Sequence, residues 1–74
     1  MLIKFFALQQ DTETGELSEK FLTSEPWAEM KTGTRIVHRG TRYQVDRLHW
    51  EDQRAGILRA TCLELAGAGT TEES

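Results

Sequence analysis

Gly33-Thr34-Arg35-Ile36-Val37-His38-Arg39-Gly40-Thr41-Arg42-Tyr43-Gln44-Val45 is the stretch that decides the fold. The runs on either side of Arg39-Gly40 alternate as half-buried strands do, and a two-residue turn ending in glycine joins strands antiparallel. Pairing about that turn sets His38 opposite Thr41, Ile36 opposite Tyr43 and Thr34 opposite Val45. One face then holds Ile36, Tyr43 and Val45, and the other Arg35, Val37, Arg42 and Gln44. The second strand continues to Trp50, with a change of parity between Val45 and Leu48. A bulge at Asp46-Arg47 returns Tyr43, Val45, Leu48 and Trp50 to one face and bends the strand sharply, as a closing barrel requires. Glu51 to Gly56 turns the chain. Leu58, Ala60 and Cys62 then alternate with Arg59, Thr61 and Leu63, so Gly56 to Leu65 completes a three-stranded meander.

Working back from this meander, Leu2 to Gln9 is an apolar and aromatic strand with Ile3, Phe5 and Ala7 on one face and Leu2, Phe6 and Leu8 on the other. Both faces are expected to be buried or nearly so. The polar cluster from Asp11 to Glu16 turns the chain into a second extended segment, Leu17 to Thr23, which makes an N-terminal hairpin. Between hairpin and meander, Ser24 to Met30 is expected to form one helical turn, with Ser24 as cap, Pro26 in the first turn and Gly33 as stop. Trp27 and Met30 are expected to plug one end of the sheet. Residues 1–66 form a single β domain, and Gly67 to Ser74 reads as a flexible acidic tail.

The fold expected is mainly β: a small five-stranded barrel or rolled sheet made of an N-terminal hairpin, a short connector and a three-stranded meander. The run from Gly33 to Val45 resembles the strand-turn-strand of SH3-like small barrels, in which a glycine precedes an apolar pair, a second glycine makes the turn, and an aromatic and a valine follow. Such barrels occur in translation factors, bacteriophage structural proteins and adaptor modules. The resemblance therefore implies an architecture and, by analogy, non-enzymatic binding, with a bacteriophage or mobile-element origin. The aromatic-rich groove sequence of the members that bind proline-rich peptides is missing.

At 74 residues the chain has room for one compact core, which disfavours a deep substrate cavity. No apolar run approaches the roughly 20 residues of a membrane-spanning helix, so no membrane partner is expected. Met1 to Leu8 lacks the basic start and long apolar centre of a secretory signal, and the lone Cys62 fits a reducing compartment, so the expected location is cytoplasmic. The net charge of −3 is unevenly spread. Residues 1–30 carry Lys4 and Lys20 against Asp11, Glu13, Glu16, Glu19, Glu25 and Glu29, whereas residues 31–60 carry Lys31 and six arginines against Asp46, Glu51 and Asp52. Such bipolarity steers the approach of a partner.

Candidate chemistry is sparse. His38 and His49 have no third ligand at a metal-binding spacing, and no phosphate-binding glycine loop is present, so neither a metal nor a cofactor is expected. Cys62 lies mid-strand among apolar residues, where a free cysteine is a small buried hydrophobe rather than a nucleophile for His49. Asp11, Glu13 and Glu16 faintly suggest a calcium loop, but the glycine falls one position early and the closing bidentate acid is absent. Asp46, Glu51 and Asp52 could supply an acid/base pair, yet they belong to a bulge and a turn where exposed charge is ordinary.

The arginines are more informative. Arginine is the residue of bidentate carboxylate and phosphate recognition, and Arg35, Arg39, Arg42, Arg47, Arg54 and Arg59 all fall in the meander, interleaved with Tyr43, His49 and Trp50. The binding residues expected are Arg35, Arg42, Arg47 and Trp50, in a non-enzymatic protein-interaction module: an adaptor, assembly or inhibitor component whose partner is another protein. The alternative is a small barrel that binds nucleic acid through the same arginines, set against an isoelectric point near 5.3. Oligomeric state is left open.

Overall fold

The computed structural model describes residues 1–65. Five strands form in chain order: β1 Leu2–Gln10, β2 Leu17–Pro26, β3 Arg35–His38, β4 Thr41–Asp52 and β5 Ile57–Glu64. They make one curled half-barrel sheet in the order β2-β1-β5-β4-β3, composed of the β1–β2 hairpin and the β3–β5 meander. The meander registers as its sequence dictates. His38 faces Thr41 and Ile36 faces Tyr43, and the pairing extends beyond β3 through Val45 N–H donating to the Thr34 carbonyl at 2.8 Å and Gly33 N–H donating to the Val45 carbonyl at 2.7 Å.

The expected bulge is present. Val45 pairs with Cys62 and Arg47 with Thr61, leaving Asp46 unmatched. After it, Leu48 faces Ala60 and Trp50 faces Leu58, so all four apolar residues of β4 keep one parity. A second irregularity lies in the hairpin, where Phe5 pairs with Thr23 and Phe6 with Phe21, so that Leu22 is skipped. Extra residues on one strand bend it and increase local twist. A third irregularity leaves Glu51 unmatched between the Trp50–Leu58 and Asp52–Ile57 pairs, and bulges on both halves of the sheet curl it into a trough.

The trough holds the core. Ile3, Phe5 and Ala7 from β1, Tyr43 and Val45 from β4, and Leu58, Ala60 and Cys62 from β5 are buried. Leu22, Ile36 and Leu48 pack against them, as do Trp27 and Met30 from the connector. Because β2 and β3 are opposite edges of the sheet, the connector of residues 27–34 has to cross from one side to the other. It does so over the concave face, with the Trp27 ring edge-on to Phe5 at a centroid distance of 6.2 Å. The plug expected of Trp27 and Met30 is thus observed.

The helical turn expected over Ser24 to Met30 does not form. Ser24, Glu25 and Pro26 instead continue β2, opposite Lys4, Ile3 and Leu2. An N-cap is worth about 1 kcal/mol, and a ladder that also buries β1 outweighs it. Pro26 is tolerated because it ends an edge strand, where no N–H is needed. The outer face of β1 is half-buried rather than enclosed, and the tail expected from Gly67 lies outside the described residues.

The β3–β4 turn carries a local violation. Arg39 has φ 52° and Gly40 φ 80°, both positive, as a type I′ hairpin turn demands. Glycine accepts this, but an arginine is held there against a left-handed penalty. We expect Arg39→Asn to raise stability by about 1 kcal/mol, because asparagine tolerates that conformation at the first turn position. Urea denaturation checks this, and an unchanged or lower midpoint would refute the strain.

Candidate functional site

Strand parity sorts the candidate residues. Tyr43 and Val45 point into the trough, so Arg42 and Gln44 point out of it, and Arg35, opposite Gln44, points out with them. Past the bulge, Arg47 opposite Thr61 also lies on the convex face. Three of the four expected residues, Arg35, Arg42 and Arg47, therefore share one surface. Trp50 does not. It stands opposite the buried Leu58, on the concave side, where β3 no longer flanks β4, and it is 43% exposed at that rim.

The convex face holds more than arginines. Leu17, Phe21, Val37 and Leu63 are all exposed on it, by 41 to 67%. Phe21 meets Phe6 edge-to-face at 5.4 Å, and the Arg59 guanidinium lies over the Phe6 ring at 4.1 Å. Arg59 Nη2 donates to Glu19 Oε1 at 2.8 Å, and the Thr61 hydroxyl donates to Glu19 Oε2 at 3.0 Å. A guanidinium stacked at such a partly exposed site contributes about 0.5–1 kcal/mol. Glu19 and Arg59 thereby order the centre of the face, with Leu17 and Phe21 on β2 to one side and Leu63 and Val37 interspersed with the arginines on the other. A shallow groove of about 460 Å³ crosses it, lined by Glu19, Arg47, His49, Arg59 and Thr61.

The apolar members were not among the residues expected from sequence. Period-two alternation in Leu17 to Leu22 was visible, but which parity faces solvent depends on the bulge at Leu22, and no residue type announces that bulge. A second concavity, of about 270 Å³, opens at the gap between β2 and the β3–β4 turn. No sequence signal marks it either, because its walls, Lys20 to Leu22 and His38 to Tyr43, are 16 or more residues apart.

Three of the candidate acids, Asp11, Glu51 and Asp52, have structural partners. Asp11 Oδ1 accepts from the Glu13 N–H at 2.8 Å, within the hairpin turn. Asp52 Oδ1 accepts from the Ala55 N–H at 3.1 Å, and Lys4 Nζ meets Glu51 Oε2 at 2.7 Å. Among the described residues, no three of the histidines, cysteine, aspartates and glutamates gather as a metal site would require. His49 lies on the convex face opposite Arg59, and Cys62 lies in the core opposite Val45, so the sheet itself separates imidazole from thiol. No family model matches the chain, and neither a curated protein nor a solved structure gives a match.

Cys62 is fully buried, and burial pushes its thiol from 9.0 up to about 11. The folded state thus favours the neutral thiol. The associated stability is fully present below pH 9 and is lost as pH rises through about 11. Native protein at pH 8 should react slowly with a thiol reagent and rapidly once unfolded, and Cys62→Ser should cost about 1–3 kcal/mol by placing a hydroxyl among apolar side chains. Fast labelling of the folded protein would overturn the assignment of Cys62 to the core.

Proposed function

We propose that the chain is a non-enzymatic protein-protein interaction module, an adaptor, assembly or inhibitor component of SH3-like barrel type working in the cytoplasm. Its convex face is the contact surface, and the partner presents acidic groups around an apolar centre. The observation that carries this is the juxtaposition, on one exposed face, of Leu17, Phe21, Val37 and Leu63 with Arg35, Arg42 and Arg47. Interface cores are enriched in aromatic residues and arginine, and this face presents Phe21 together with its arginines. Its arginines select carboxylates, and its apolar residues supply the desolvation that holds a protein partner. Trp50, on the other side of the sheet, has no part in this surface.

Nucleic acid is disfavoured by the same geometry. A phosphate-tracking groove needs a run of cations, but Arg59 at the centre of the face is paired with Glu19. Large exposed aliphatic residues gain nothing from a phosphate backbone.

A photo-crosslinker placed at Leu63 should capture a host protein, and its crosslinked peptide should carry acidic residues. With that partner purified, Arg42→Ala and Arg47→Ala should each cost about 1–2 kcal/mol of binding, and Leu17→Ser should weaken it as well, while Trp50→Ala leaves it within about 0.5 kcal/mol. Circular dichroism confirms that the variants fold. Tight oligonucleotide binding that falls steeply with added salt would overturn the proposal in favour of a nucleic-acid face.

A further inference from the structure

The sheet is a half-barrel whose two edges, β2 and β3, are not joined by a ladder. The connector covers the trough at the end where β2 finishes and β3 begins. At the other end the gap is open, and the cleft of about 270 Å³ lies there. One wall is Lys20 and Leu22 of β2, the other is His38 and Arg39 of the β3–β4 turn, and Tyr43 lies beneath them. Lys20 faces inward because its ladder partner is the buried Ala7. His38 shares the inward parity of Ile36.

Among the described residues, no carboxylate lies within ion-pair distance of Lys20 or Arg39. Two cations and an imidazole thus line the opening, none of them ion-paired among the described residues. Arg39 moreover occupies a left-handed position at φ 52° that glycine or asparagine would fill without strain. A strained residue that keeps its charge beside a cleft is the pattern expected where the side chain, rather than the turn, is needed.

We propose that this open seam is a second recognition site, distinct from the convex face, that takes an extended acidic peptide segment from a partner protein. An added strand would use the outward main-chain groups of an edge strand, while its alternate side chains point into the trough. An inward carboxylate meets Lys20, Arg39 and the His38 imidazole, and the aliphatic stem beneath it lies on Leu22 and Tyr43. The size of the opening fits this occupant. It falls just below the roughly 300 Å³ at which small-molecule pockets begin, which leaves room for one or two side chains rather than a cofactor.

The test is titration of isotope-labelled protein with a synthetic hexapeptide of alternating threonine and glutamate, followed by amide resonances. Saturable shifts are expected at Lys20 to Leu22 and at His38 to Thr41. Lys20→Gln and Arg39→Asn should each weaken binding roughly three- to tenfold through loss of one charged contact, Arg39→Asn doing so in a protein that remains folded. Arg42→Ala and Arg47→Ala should leave the peptide affinity unchanged, so failure at the seam and failure of the convex face are told apart. Equal binding of a peptide with lysine in place of glutamate would overturn the proposal, as would the absence of shifts. So would inorganic phosphate moving the same resonances as strongly, which would make the site one for small anions. If the double variant Glu72→Gln, Glu73→Gln moves those resonances before any peptide is added, the occupant is this chain's own segment and the assignment to a partner falls.

Discussion

The parallel ladder between β1 and β5 is what makes the five strands one sheet. Leu2 pairs with Ile57, Ile3 with Leu58, and so on to Ala7 with Cys62. Among the described residues it is the only ladder that joins the N-terminal hairpin to the meander. Without it, β1 would expose Ile3, Phe5 and Ala7, and the meander would expose Leu58, Ala60 and Cys62. Neither half buries a core alone, because a two-stranded hairpin is marginal in water and the meander's inner face is half a lining. The loop closed by this ladder spans most of the described chain, so its entropic cost is met only when both halves are in place. Cooperativity of the fold is therefore concentrated at β1 and β5, while β2 and β3 remain edges available for other pairing.

That ladder is also the part of the fold least legible from sequence. The meander could be read because each of its ladders starts at a turn: Arg39-Gly40 fixes the β3–β4 register, and the parity change from Val45 to Leu48 announces the bulge. A parallel ladder between β1 and β5 has no turn to set its register, and the alternations of Ile3, Phe5, Ala7 and of Leu58, Ala60, Cys62 suit either direction. Ser24-Glu25-Pro26 was misread for the opposite reason. Its local capping preference was real, and the tertiary pairing with Leu2, Ile3 and Lys4 overrode it.

The candidate surface was legible to the same depth. Arg35 and Arg42 could be placed together because one ladder relates them, and Arg47 joined them once the bulge was located. Trp50 joins them in the sequence only as a residue type that dominates protein interfaces, and the bulge that positions Arg47 outward turns Trp50 inward. Leu17, Phe21 and Leu63 were invisible as a set, since they come from β2 and β5, and only the β1 ladders on either side bring those strands onto one face. Charge behaved similarly. The division into an acidic first half and a basic second half dissolves in space, where Glu19 of the first meets Arg59 of the second. What survives is a set of arginines interspersed with apolar residues on the convex face, and a separate cluster at the seam.

The contrast between acids and bases supports the proposed contact surfaces more than either feature alone. Asp11 and Asp52 close turns and Glu51 holds Lys4, so these acids are accounted for by the fold. Lys20 and Arg39 are not: no carboxylate pairs with either among the described residues, and Arg39 keeps a bulky cation where the backbone favours glycine or asparagine. Phe21 and Leu17 likewise stay exposed on an edge strand, where aggregation is a standing hazard that charged residues normally guard against. Sequences depart from locally consistent choices mainly where a site requires it. The departures here are basic or apolar, and they fall on the convex face and the seam, which directs the search to partners that are acidic and apolar.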